Sequence, residues 1–122
     1  ALVPAQEDEL AKSIERGKMI YSENCISCHM GTGEGVTGTF PPLAKSDFLM
    51  KSPEKAIRVV KFGLIGKITV NDVEYDNMMP DPGLEKEQIA DVMNYIMNSW
   101  GNSSEKKMIT TKMVEEIKEE KK

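Results

Sequence analysis

The chain has 122 residues, of which 30% are charged and only 6% are aromatic, and its net charge is −4. This length allows one domain with a modest apolar core, and no apolar run approaches the ~20 residues of a membrane span. Because the net charge is negative, the chain lacks the basic surface of a nucleic-acid-binding protein. We therefore expect no nucleic-acid partner and, from the lack of a long apolar run, no membrane span.

The first predicted element is a helix that begins near Glu7. Acidic residues open it, and Leu10, Ile14, Gly17 and Tyr21 recur along one face. A glycine inside a helix costs about 1 kcal/mol relative to alanine, so we expect a packing reason for Gly17.

After this helix comes Cys25-Ile26-Ser27-Cys28-His29, which holds the only two cysteines and the only histidine of the sequence. At this spacing two thiols can add across the vinyl groups of a haem while the imidazole reaches the iron. A zinc site usually needs four ligands, a Cys-x-x-Cys redox site expects a βαβ pattern, and a disulfide here would close a very short loop. The motif predicts one haem c attached through Cys25 and Cys28, with His29 on the iron. A non-haem metal or disulfide protein is the alternative.

Residues 30–39 include four glycines and are predicted to form an irregular loop. The loop lacks the Gly-Lys-Ser/Thr signature of a phosphate-binding loop. We interpret it as a segment that passes around the haem on the side of the histidine.

A helix is predicted between Ser52 and Gly63, because serine can cap a helix, proline follows in the first turn and glycine stops it. Further on, the apolar period changes to two on either side of Asn71-Asp72. This pattern predicts a short β-hairpin near residues 67–76.

A second axial ligand has to be sought among the nine methionines, because the sequence has no second histidine. Met78 and Met79 lie in a segment too rich in turn formers for helix or strand, so at least one of them is displayed from a loop. Pro80 biases Met79 toward an extended backbone.

The last core helix is predicted from Lys86 to Trp100, with Gly101 as its stop. Residues 105–122 hold eleven charges and a narrow apolar stripe. We predict a domain over residues 1–104, followed by a charged helical extension that lies on it or frays from it.

The Cys25–His29 motif, with Met79-Pro80 fifty residues later and then an amphipathic helix, resembles a class I cytochrome c of the bacterial kind. The resemblance covers about residues 13–102. It implies an all-α fold in which the first and last helices cross around one covalent haem.

The resemblance also implies roles for single residues. The methionine directly before proline is usually the axial ligand in this family, which implies Met79, with Met78 as the alternative. A proline at the position of Pro41 offers its carbonyl to the second nitrogen of the ligating histidine, here His29, and so orients the ring. Leu43 then packs on the haem face.

The charges are unevenly distributed. Residues 45–67 have six basic and two acidic side chains, whereas residues 68–104 have one basic and seven acidic. Arg58 is the best candidate to pair with a haem propionate, because a guanidinium suits a carboxylate; the alternative is a solvated helix face. We expect partners to dock on the acidic side through a basic patch.

The resemblance implies a one-electron carrier, not an enzyme, that shuttles electrons between larger redox proteins of a respiratory chain. A haem subunit of a larger reductase or dehydrogenase complex, and an open-site peroxidase or gas sensor, are the alternatives. The sequence starts at Ala1, which suggests an exported protein whose signal peptide has been removed, and family members receive their haem outside the cytoplasm. We therefore expect a periplasmic monomer or weak dimer.

Overall fold

The computed structural model describes residues 4–105 and 107–119. The expected all-α architecture with one short hairpin is confirmed, and the first helix begins earlier than predicted. None of the described helices is both long and apolar enough to cross a bilayer. The elements are α1 (Pro4–Asn24), α2 (Ile26–His29), α3 (Asp47–Lys51), α4 (Pro53–Phe62), β1 (Ile68–Val70), β2 (Val73–Tyr75), α5 (Lys86–Ile96) and α6 (Thr111–Glu116).

Helices α1 and α5 cross in direct contact at Gly17. A Cβ atom there would collide with the backbone oxygen of Asp91 and lie 2.7 Å from the Cβ of Tyr95. The Asp91 carboxylate is held from α1 by the Ser13 hydroxyl at 2.7 Å and by two Arg16 nitrogens at 2.9 and 3.1 Å. The close approach of α5 is therefore the packing reason that the sequence analysis expected for Gly17.

Three aromatic rings extend this crossing. The ring of Tyr21 lies 5.5 Å from that of Tyr95 and 5.1 Å from that of Trp100, and the last two are 5.5 Å apart, between ring centroids. Gly33 has a φ of +65°, and a Cβ on it would collide with the Trp100 ring. The cluster therefore joins both terminal helices to the loop that follows α2.

The predicted hairpin forms where it was expected. Ile68 pairs with Tyr75, and the turn residues Asn71 and Asp72 both have positive φ, 50° and 66°, as a type I′ turn requires. The backbone amide of Asn71 donates to the Asp47 carboxylate at 2.8 Å, and the Asp47 amide donates to the Asn71 side-chain oxygen at 3.0 Å. This reciprocal pair attaches the hairpin to α3.

Helix α3 was not predicted, because five residues are too few to display a helical period. The hydroxyl of Ser46 accepts a hydrogen bond from the Leu49 amide at 3.1 Å, and Leu49 is buried. Ser52, expected as the cap of α4, contributes its backbone carbonyl to the Ala56 amide instead. The capping hydroxyl of this region is therefore that of Ser46.

Helix α5 ends at Ile96 and not at Trp100. The side chains of Asn98, Ser99 and Asn102 donate to the carbonyls of residues 94, 95 and 96 at 2.9, 2.6 and 2.8 Å. Side-chain donors thus satisfy the last carbonyls of the helix, and Trp100 turns the chain with a φ of +56°.

The C-terminal segment returns across α5. Ile109 is 6% exposed and Val114 is fully buried, so part of the predicted extension belongs to the main core, whereas Met113 of its apolar stripe is 41% exposed. The segment lies on the body of the protein, the first of the two arrangements expected for it. Residues 1–3, 106 and 120–122 lie outside the described part, and the domain boundary at 104/105 stays a prediction.

We expect Gly17→Ala to lower the free energy of unfolding by about 2 kcal/mol or more, because the added methyl group forces α1 away from α5. Guanidinium unfolding of the haem-loaded protein measures this. Gly31→Ala is the matched control, since a Cβ there comes no closer than 4.0 Å to Ile26 and should change stability by less than about 0.5 kcal/mol. Equal losses in the two variants would contradict the proposed constraint.

Candidate haem site

A large apolar cleft lies between the helices, and α2, the following loop, α4, the hairpin and the methionine segment all contribute to its walls. It holds about 1010 Å³ of space, part of it open to solvent. Its walls are almost entirely apolar, which suits a large flat apolar group. Six of the seven sequence-predicted site residues line it, and so does the alternative ligand Met78; the six are Cys25, Cys28, His29, Pro41, Leu43 and Met79.

The haem motif forms one helical turn directly continued from α1. The amide of Cys25 donates to the Tyr21 carbonyl at 2.9 Å, and the His29 amide donates to the Cys25 carbonyl at 3.0 Å. Cys25 is half-buried, Cys28 is exposed, and His29 is only 9% exposed. A single turn therefore presents both thiols and the imidazole to one cleft.

The His29 ring is held by a backbone carbonyl that follows the glycine-rich loop of residues 30–39. Its Nδ1 lies 2.9 Å from the carbonyl oxygen of Pro41. Because a carbonyl only accepts, Nδ1 carries the proton in this hydrogen bond, and Nε2 keeps its lone pair. Burial lowers the pKa of His29, and the bond to Pro41 partly opposes that shift. The ring is thus a neutral imidazole suited to bind a metal.

The cysteines lack the character of a redox pair. Burial, and secondarily the nearby Cys28, raise the pKa of the Cys25 thiol to about 11. A reactive Cys-x-x-Cys site needs a lowered thiol pKa, in order to supply thiolate at neutral pH. The raised pKa of Cys25 therefore disfavours the thiol-exchange alternative.

The methionine segment is attached to the end of α4. The backbone amide of Met79 donates to the Leu64 carbonyl at 2.9 Å, and the Leu64 amide donates to the Met79 carbonyl at 2.8 Å. Met79 is half-buried, whereas Met78 is 64% exposed. The side-chain amide of Asn77 also donates to the Thr39 carbonyl at 2.8 Å, which links this segment to the loop on the histidine side.

Comparison with known proteins places these features in one family. The family model described as cytochrome c matches residues 14–100. The chain is a class I cytochrome c.

The similar proteins include cytochromes c-552 and cytochrome c subunits of dehydrogenases. Cytochrome c-552 of Thermus thermophilus is 36% identical over 114 residues, which is 89% of this cytochrome and 76% of the relative. The cytochrome c subunit of a quinone alcohol dehydrogenase from Gluconobacter oxydans is 36% identical over 72% of this chain, but over only 19% of its own length. The corresponding subunit of gluconate 2-dehydrogenase from Pantoea cypripedii is 29% identical over 94% of this chain and 28% of its own length.

The cofactor that this family binds, covalent haem c, suits the cleft. The walls are almost entirely apolar, a neutral buried imidazole is oriented by Pro41, and two free thiols stand one helical turn apart. This cytochrome therefore carries one covalently bound haem c and acts as an electron carrier.

Arg58 does not belong to the walls of the cleft. Its Nε donates to the backbone carbonyl of Lys118 at 2.9 Å, on the C-terminal segment. Its role with a haem propionate stays a prediction, one that this geometry does not favour.

The sequence does not indicate several contacts of the site in this cytochrome. Tyr21 lines the cleft and donates its hydroxyl to the Met30 carbonyl at 2.6 Å, which ends the turn of the haem motif. Leu49 of the unpredicted α3 also contributes to the wall. The bond from Asn77 joins residues 38 positions apart, and only the folded chain brings them together.

Proposed function

We propose that the thioethers of Cys25 and Cys28 fix the haem and that His29 and Met79 are its axial ligands. The observation that carries this proposal is the hydrogen bond from His29 Nδ1 to the Pro41 carbonyl, because it orients the imidazole and leaves Nε2 as the metal-binding atom. The haem supplies a one-electron couple when bound. The apolar walls would limit its contact with water, and this would keep rearrangement on electron transfer small.

The backbone of the methionine segment favours Met79 over Met78. Both hydrogen-bonding groups of the Met79 backbone are paired with Leu64, and Pro80 restricts its conformation, so the direction of its side chain is defined. Neighbouring side chains of an extended segment point to opposite sides, so one methionine faces the iron at a time. The greater exposure of Met78 supports a position at the rim.

Ligation by both His29 and Met79 argues for a carrier and against an enzyme. The haem would leave two iron positions free, and these two protein ligands would fill both, so no position would remain for a substrate. A methionine thioether also favours the reduced state and raises the reduction potential. Leu43, in the cleft wall, would pack on the haem face.

Location and assembly belong to the same proposal. Covalent haem attachment in this family takes place outside the cytoplasm, which supports a periplasmic protein. We propose a monomer or weak dimer that exchanges electrons with a separate donor and acceptor of a respiratory chain.

A second candidate function is that of a haem subunit in a dehydrogenase complex. The similarity to the two dehydrogenase subunits, over 72% and 94% of this chain, favours it. Affinity purification of the tagged protein from its native cells separates the two functions. A stoichiometric dehydrogenase subunit in the purified material would support the complex, whereas elution of the cytochrome alone would support the free carrier.

We propose that partners approach through an acidic surface beside the methionine segment. It is defined by exposed carboxylates of residues 72–85. A basic patch on a partner would be drawn to this surface, since complementary charges speed encounter. Its members are Asp72, Glu74, Asp76, Asp81 and Glu85.

We expect Met79→Ala to abolish the far-red absorption band of a ferric iron–methionine bond and to let the reduced protein bind carbon monoxide. Met78→Ala, the matched control, should keep the band. Visible spectra of the purified proteins measure both effects. Loss of the band only in Met78→Ala would assign the ligand to Met78 instead. A wild type that lacks the band and binds carbon monoxide would support an open-site sensor or peroxidase.

We expect oxidation of the reduced protein by the cation tris(phenanthroline)cobalt(III) to slow as salt is added, because ions screen its attraction to the acidic surface. Asp76→Asn combined with Asp81→Asn should lower the low-salt rate constant by about threefold to tenfold. Asparagine keeps the side-chain oxygen that accepts from the Gly83 amide at Asp81. Stopped-flow absorbance measures the rates.

Glu15→Gln, an exposed change on α1, is the control for that experiment and should leave the rate nearly unchanged. With anionic ferricyanide the salt effect should reverse. Rates for the cation that do not fall with salt would contradict docking on the acidic surface.

A further inference from the structure

Lys61, at the end of α4, makes contacts that haem binding does not use. Its ammonium group lies 2.7 Å from the carbonyl oxygen of Val114, 2.8 Å from that of Ile117 and 3.4 Å from that of Glu115. These carbonyls belong to the last turn of α6 or follow it, and a cation is favoured at such a helix end. The Val114 carbonyl also accepts from the Ile117 amide at 3.2 Å. The half-buried lysine therefore joins the end of α4 to the end of α6.

The segment that Lys61 holds is anchored at its other end as well. We call residues 109–118 the C-terminal strap. The fully buried Asn94 of α5 accepts from the Ile109 amide at 2.7 Å and donates to the Ile109 carbonyl at 2.9 Å. Val114 is fully buried, and Arg58 of α4 binds the Lys118 carbonyl. The strap thus spans from α5 to α4 with contacts along its length.

The end of α4 is also where the methionine segment is attached. Two residues after Lys61, Gly63 turns the chain with a φ of +82°, and a Cβ there would lie 2.8 Å from the Met79 carbonyl oxygen. Leu64 then makes both hydrogen bonds to the Met79 backbone. Displacement of the α4 end would therefore move the residues to which Met79 is bonded.

We propose that Lys61 is a positioning residue for Met79, through which the C-terminal strap holds the Leu64–Met79 backbone pair in place. Helix ends fray when nothing holds them. The three carbonyls of the strap oppose that motion at the end of α4. The proposal rests on the proposed function in one respect, namely that Met79 is a ligand of the haem iron.

The test is Lys61→Met in the haem-loaded full chain, because methionine keeps much of the apolar stem and removes the charge and the donors. We expect the amides of Leu64 and Met79 to exchange with deuterium about tenfold faster, as local opening becomes easier. Added imidazole should bind the ferric protein about tenfold more tightly, because it enters only molecules in which Met79 is displaced. Nuclear magnetic resonance and the loss of the far-red band measure the two effects.

Three further variants separate positioning from general stability. Lys61→Arg keeps the charge and the donors, so its amide exchange rates and imidazole affinity should stay near those of the wild type. Lys55→Met, an exposed lysine on the same helix, should change neither. Ser13→Ala should lower global stability at the α1–α5 crossing without affecting imidazole affinity.

Exchange rates and imidazole affinity within twofold of the wild type in Lys61→Met would overturn the proposal. So would equal effects in Ser13→Ala. If Lys61→Met does not fold, Lys61→Gln replaces it with the same expectations. Failure of the axial assignment has a different signature: the far-red band survives Met79→Ala, while the Leu64 and Met79 amides still exchange faster in Lys61→Met.

Discussion

The close crossing of α1 and α5 at Gly17 is the constraint on which the remaining structure depends. The two backbones can approach only because no side chain stands between them, and Asp91 is bonded to α1 beside that point. Helix α1 continues within one residue into the haem motif, so the crossing determines where the thiols and His29 lie. The aromatic cluster built on the crossing also holds the loop that delivers Pro41.

The two sides of the cleft are held in different ways. On the histidine side the ring is bonded to a loop that is folded against Trp100 and closed by short backbone hydrogen bonds. On the methionine side, two backbone hydrogen bonds between Met79 and Leu64 and one side-chain hydrogen bond from Asn77 hold the methionine segment. The position of Met79 therefore depends on Leu64, and through Leu64 on the end of α4. Asp76 and Asp81, both exposed, flank Met79 in the chain.

Only part of the secondary structure has a local cause. The Asn71-Asp72 turn was predictable because both residues tolerate positive φ, and the stripe of α5 was predictable because it spans several turns. The end of α5 was predicted four residues too late, since the side chains of Asn98, Ser99 and Asn102 satisfy its last carbonyls in place of the amides of a further helical turn. Helix α3 has too few residues for a period, and its hairpin contact through Asp47 is between segments 24 positions apart.

The amino-acid sequence by itself determined the cofactor and the family, because two cysteines, a histidine and a Met-Pro segment are chemically specific at their spacing. It also placed Gly17 as a packing position, since a helix does not otherwise favour glycine. Tertiary structure alone decided that Arg58 and Lys61 bind carbonyls of the C-terminal segment and that this segment belongs to the core. The physical reason is that these contacts join side-chain nitrogens to backbone carbonyls more than fifty residues away, and every residue type offers the same carbonyl.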